Sequence, residues 1–369
     1  MAGIYIHIPF CRQACYYCNF HFTTSLTRKN ELIAALLKEI DLRQKYLQNE
    51  PVETIYVGGG TPSILPASDL QILFAGLRKE FAIPASAEIT LETNPDDISE
   101  EKIKEWLSTG INRLSIGVQS FFAEDLVWMN RAHNAKQAID SLQLASRYFK
   151  NITVDLIYGT PLLTDEKWRK NVETILSLNI PHVSCYALTV ESKTPLQKMI
   201  KQGKTEDVDP DRQSDQFLIL MQLLGNAGYE HYEISNFAKP GFRSRHNSSY
   251  WQGKKYLGIG PSAHSFDGVS RQWNVSNNNT FINSLEKEIL TVNQRINEYI
   301  MTSLRTLEGM DVHHVEERFG AKEKERLLVS AKKYIESKKM MFSENKNLIL
   351  TNEGKLLADG IAADFFATD

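Results

Sequence analysis

Apolar residues in the first half of the chain fall into short continuous runs, separated by stretches with helical spacing. IYIHI (4–8), ETIYV (53–57), AEITLE (87–92), RLSIGV (113–118), ITVDLIY (152–158) and HVSCYAL (182–188) read as six strands. The intervening segments 30–48, 68–80, 100–107, 135–149 and 166–178 read as helices, the first on the spacing of Leu32, Leu36 and Ile40. Strand and helix alternating at roughly 30 residues per unit predict an α/β fold, a parallel sheet with right-handed crossovers that is open or closed into a barrel.

The rhythm then changes. A helix is expected over 210–228, followed by an irregular stretch rich in Gly, Asn and Ser over 236–279. Beyond it, charged helical patterns (286–306 and 321–339), a hairpin in MMFSENKNLILT turning at 344–347 and a final helix over 353–366 predict a smaller, mostly helical, winged-helix-like domain. The expected organisation is therefore an α/β domain (1–235), an irregular segment (236–281) and a C-terminal helical domain with a hairpin (282–369). The 369 residues allow one large domain and a smaller one. With 42 Lys+Arg against 45 Asp+Glu and no cationic stripe, nucleic-acid binding is not expected. No apolar run reaches the length of a membrane span, and a strand beginning at Ile4 leaves no room for a signal peptide. A reducing, cytoplasmic setting is expected.

Cysteine usage is the first chemical signal. Three of the four cysteines, Cys11, Cys15 and Cys18, form CxxxCxxC directly after the first strand; Cys185 lies mid-strand among apolar neighbours and reads as core. A cubane iron–sulfur cluster normally takes four thiolates, so three leave one iron open to an external ligand. Zinc is the alternative, with His7 or His21 as a fourth ligand.

FCRQACYYCNF resembles the cluster loop of radical S-adenosylmethionine (SAM) proteins. That resemblance implies a [4Fe–4S] cluster on the three cysteines, SAM on the open iron, a partial (β/α)6 barrel, and a role for Tyr17 beside the third cysteine. In such a fold ligands meet the C-terminal ends of the strands. Polar or glycine-rich residues recur there: Gly58-Gly59-Gly60-Thr61-Pro62, Glu92 before Thr93-Asn94-Pro95, Gln119-Ser120, and Asp155, with Arg131 nearby in sequence. A carboxylate for the SAM ammonium and an Arg for its carboxylate suit a zwitterion. By resemblance, Tyr5, Tyr17, Gly59, Gly60, Thr61, Glu92, Gln119, Arg131, Asp155 and Ala187 are the SAM contacts.

IHIPFC, GGGTP, ETNP, RLSIGVQSF, DLIYGTP and GIGPSAHSF together resemble the oxygen-independent coproporphyrinogen III oxidase group. Its true oxidases oxidatively decarboxylate porphyrinogen propionates; a second branch, HemW, consists of heme chaperones. True oxidases carry a fourth cysteine two residues after the third, where this chain has Phe20, and an arm before the first strand, which this chain enters by Ile4. Both departures count against decarboxylation, and whether SAM is turned over or only bound stays open.

RSRHNSSYWQGKKY resembles the chaperone branch's HNxxYW heme motif, with His246, Asn247, Tyr250 and Trp251 as heme residues. Imidazole is a common axial ligand and the aromatics offer flat apolar contact. Arg243, Arg245, Lys254 and Lys255 are candidates for the propionates. The competing reading is that His246 hydrogen-bonds inside a polar loop and the aromatics are core. His264 is a second histidine to follow, expected to be structural. The resemblance implies heme and acceptor hemoproteins as partners; homodimerisation and peripheral membrane attachment stay open. A lid over the barrel mouth is the expected role of the C-terminal domain.

Overall fold

The computed structural model describes residues 2–278 and 285–367. Strands β1 (Ala2–Ile8), β2 (Val52–Gly59), β3 (Glu88–Thr93), β4 (Arg113–Gln119), β5 (Asn151–Tyr158) and β6 (His182–Ala187) lie side by side in that order, each parallel to the next. Ile4, Ile6 and Ile8 are fully buried. That is the signature of an interior parallel strand covered on both faces, and it is why IYIHI reads as a nearly continuous apolar run. The crossover helices bury their apolar stripes on this sheet; Leu32, Leu36 and Ile40 do so from the helix Lys29–Leu42.

The sheet continues past both ends of this parallel set. A hairpin of β7 (Glu230–Glu233) and β8 (Asn236–Ala238) pairs through β8 with β6. On the other side β9 (Tyr256–Ile259) pairs parallel with β1 and leads into the antiparallel β10 (His264–Phe266), β11 (Ser270–Asn274) and β12 (Leu285–Ile289). Twelve strands thus form one open sheet, β12 at one end and β7 at the other.

Three expectations need correction. The stretch 236–279 is not irregular across its described residues, because the free edge of β1 supplies hydrogen-bond partners that local composition does not reveal. The boundary expected at 235/236 falls inside the β7–β8 hairpin, and the one at 281/282 lies outside the described residues. The helix expected over 286–306 begins only at Val292, where Thr291 caps Gln294. Before it, LEKEI pairs with β11 as an edge strand, despite its run of charges.

A second hydrophobic cluster belongs to the C-terminal part, built from Ile296, Ile300, Leu304, Met310, Val315, Leu327 and Phe365 among others. The hairpin Met340–Phe342 with Leu348–Leu350 closes it as expected. The final helix is split into Asn352–Lys355 and Ala358–Asp364. Among the described residues no helix is long and apolar enough to cross a membrane.

Candidate functional site

The cysteine loop is anchored at its base by backbone. Cys11 N–H donates to Thr23 O at 2.9 Å, and Gly60 and Thr61 N–H groups donate to Ile8 O and Phe10 O at 2.8 and 2.6 Å. A Cβ on Gly60 would lie 2.5 Å from Phe10 O, so this turn tolerates only glycine. Gly59 has φ +112°, and its N–H donates to Glu92 Oε2 at 3.0 Å. The GGGT turn therefore spends its backbone donors on the protein. Only its carbonyl oxygens can meet a ligand, and carbonyls suit an ammonium group.

The far side of the loop is clamped from the turn that carries Arg131. Asn130 Nδ2 donates to Ala14 O at 2.7 Å, and Gln13 Nε2 reaches Asn130 Oδ1 at 2.9 Å. Arg131 Nη1 stands 3.2 Å from Cys15 Sγ and 3.3 Å from Tyr17 OH, while Nη2 bonds Asn94 Oδ1 and Gly117 O, each at 2.7 Å. Burial pushes the Cys11 thiol up to about 11, offset in part by the Thr61 hydroxyl, which donates to Sγ at 3.7 Å. Bound iron would reverse that balance. Among the described residues no three His, Cys, Asp or Glu are gathered around a single-ion position.

Inside the barrel end, Glu92 accepts Tyr56 OH at 2.8 Å, and Asp155 accepts Ser115 Oγ at 3.3 Å. Burial pushes the Glu92 carboxyl up to about 7, with the Asp155 charge adding to it. Burial also raises Asp155, to about 6, against hydrogen bonds from Ser184 and Ser115 and the charge of Arg113. A further cation brought beside this pair would lower both. Among the described residues Arg131 Nε is buried without a hydrogen-bond partner, while Nη1 and Nη2 are engaged. Gln119 sits at a register shift with φ +72°, a strained position for a non-glycine residue. Tyr5 OH meets His7 Nδ1 at 3.1 Å, and Ala187 ends β6. Hydrogen bonds thus join Gly59 and Tyr56 to Glu92, and Thr61 to Arg131 through Asn94. Sequence reasoning missed Tyr56 and passed over Asn94, which joins Arg131 to Thr61 through a 3.1 Å bond from Nδ2. The position of Asn94 just past β3 was the available signal.

The heme motif behaves differently. HNSSYW forms the helix Arg245–Trp251, and His246 is only 1% exposed. Its Nδ1 meets Thr54 Oγ1 and its Nε2 meets Tyr250 OH, both at 2.8 Å, while its ring stacks on Tyr56 at 5.2 Å. Gly3 makes room for this packing: a Cβ there would lie 2.9 Å from Thr54 Oγ1 and 3.3 Å from His246 Cε1. Neither ring nitrogen is open to iron, so the expected ligand role does not fit this geometry. Asn247 lies in the first turn of the helix, its N–H donating to the capping Ser244 Oγ at 3.2 Å. The expected propionate partners are also committed: Arg243 to Glu230 and Glu308, Arg245 to Glu53, Lys255 to Glu50. Lys254 faces a separate small groove.

Tyr250 and Trp251 do reach a cavity. A cleft of about 1060 Å³ separates the β9–β11 side of the sheet from the C-terminal helices, and Asn19, Phe20 and His21 of the cysteine loop form one of its borders. Phe20 is 67% exposed there.

Comparison with known proteins agrees with this architecture. Residues 5–175 match the Radical SAM superfamily and residues 290–357 the HemN C-terminal domain. Heme chaperone HemW of Lactococcus lactis subsp. lactis (strain IL1403) is 32% identical over 99% of this chain and 97% of its own. The Bacillus subtilis (strain 168) protein of that name is 32% identical over 99% of both chains. The Escherichia coli (strain K12) one is 38% identical over 71% of this chain and 69% of its own. Among solved structures, coproporphyrinogen III oxidase (HemN) from Escherichia coli, a radical SAM enzyme, superposes with a TM-score of 0.84 at 25% identity, covering 99% of this chain and 90% of that one. The chain belongs to the HemW family of heme chaperones, within the radical SAM superfamily.

Proposed function

We propose that this protein carries heme and hands it to respiratory hemoproteins, and that Cys11, Cys15 and Cys18 hold a [4Fe–4S] cluster whose open iron is closed by SAM. The observation that carries the reading is the cleft of about 1060 Å³ bordered by the cysteine loop itself. It places room for a large flat ligand beside the residues that would hold the cluster. Glu92 and Asp155 would face the cationic groups of SAM, Arg131 would take its carboxylate through Nε, and the GGGT carbonyls would accept from its ammonium. Reduced, such a cluster supplies one electron to SAM. Phe20 in place of a fourth cysteine leaves the loop with an apolar tip facing the cleft.

The likeness to coproporphyrinogen III oxidase favours a second reading, oxidative decarboxylation of porphyrinogen propionates. One reconstituted, anaerobic sample decides between them. The chaperone reading expects a brown, air-sensitive protein that gives a Soret shift with hemin and forms no protoporphyrinogen from coproporphyrinogen III with SAM and reductant. Product formation would establish the second reading. A colourless protein after iron–sulfide reconstitution would remove the cluster from both.

A further inference from the structure

Iron coordination needs an imidazole nitrogen that is neutral and not already hydrogen-bonded. Of the histidines lining the cleft, His7 uses both nitrogens, on Tyr5 OH at 3.1 Å and His21 O at 2.9 Å, and His21 gives Nε2 to Asn278 Oδ1 at 2.6 Å. Among the described residues, the rings of His264 and His314 make no hydrogen bond, and both line this cleft. His264 opens β10 with its side chain exposed, alongside Trp273 at 6.1 Å and 24°. Its backbone is held in place by β9, where a Cβ on Gly258 would lie 2.0 Å from His264 O. Burial and the charge of Arg271 hold His264 below the usual histidine range.

Charge in the cleft points the same way. Its lining carboxylates are committed: Glu298 to Arg271, and Asp311 to the backbone N–H groups of His313 and His314. Among the described residues Arg295 and Arg318 line it with guanidinium groups that pair with no carboxylate. The uncompensated charge is therefore positive, and it suits a flat ligand that bears carboxylates. Phe20, Trp251, Tyr256, Phe266 and Phe319 give that ligand apolar faces.

We propose that His264, not His246, is the axial ligand of heme in this cleft, with Arg295 and Arg318 pairing with the propionates. The inference rests on the heme-carrying reading above. It is tested by titrating hemin into the full reconstituted chain and its His264→Gly, His314→Ala, His246→Ala and Arg295→Gln/Arg318→Gln variants, with circular dichroism as the check on folding. The expected result is that His264→Gly loses the Soret shift and weakens binding by at least about tenfold, and that added imidazole restores the band. The double arginine variant should lose affinity for hemin and match the wild type with hemin dimethyl ester. A wild-type band and affinity in His264→Gly, or a loss confined to a folded His314→Ala or His246→Ala, would overturn the ligand assignment and leave the heme reading standing. An unchanged hemin affinity in the arginine variant would overturn the propionate pairing. A wild-type protein that binds no hemin would take down the heme reading itself.

Discussion

The barrel end and the cleft adjoin each other, yet they are built on opposite terms. In the barrel end almost every polar group is already engaged: Arg131 on four acceptors or sulfurs, Glu92 on Tyr56 and Gly59, the GGGT amides on the base of the cysteine loop. In the cleft two imidazoles make no hydrogen bond and two guanidiniums no ion pair among the described residues. A site whose groups are fixed beforehand orients a resident cofactor at little reorganisation cost. A site that leaves its groups open presents them to a cargo that has to depart again.

The largest effect should separate the two regions outright. Cys15→Ser should abolish the visible absorbance of the reconstituted cluster while a hemin titration proceeds as in the wild type. Joint loss of both signals would mean one site instead of two. Next, His246→Ala should destabilise the fold by about 2–3 kcal/mol in urea denaturation, since it strands the Thr54 and Tyr250 hydroxyls and opens a cavity. Its hemin affinity should stay at the wild-type value, because both ring nitrogens are held by Thr54 and Tyr250 and the ring packs on Tyr56.

A pH series sharpens the barrel side. Glu92 and Asp155, raised to about 7 and about 6, bind protons more readily folded than unfolded. The unliganded protein therefore loses stability as pH rises from about 4 through about 7. A cationic ligand restores what is lost, so the increase in Tm on adding SAM should grow between about pH 5.5 and about pH 8. Glu92→Gln should flatten that growth; an increase independent of pH would detach the two acids from SAM. The smallest effect falls on Phe20→Ala, which should weaken hemin binding by roughly 1 kcal/mol by calorimetry and leave SAM binding unmoved.

How far the sequence could be read followed the locality of each signal. Interior parallel strands announce themselves because burial on both faces demands runs such as IYIHI, and CxxxCxxC carries its spacing within one loop. The strands β9 to β12 did not, because YLGI and LEKEI become strands through pairing with distant partners. The same limit explains the two histidines. A motif match singled out His246, whereas its Thr54 partner lies far away in sequence and shows only in three dimensions. His264 lies in the GPSAHSF segment and was expected to be structural; its distinction is a hydrogen bond that its ring does not make among the described residues.

The pairing of β9 with β1 also sets a schedule for synthesis. Ile4 and Leu257 are register partners about 250 residues apart. At ordinary translation speeds the outer edge of β1 would wait on the order of tens of seconds for the strand that covers it. Through that interval the emerging chain carries an apolar strand with one row of backbone donors and acceptors unpaired, an open template for a neighbouring chain. The topology thus leaves the nascent β1 segment open to pairing until β9 has been made.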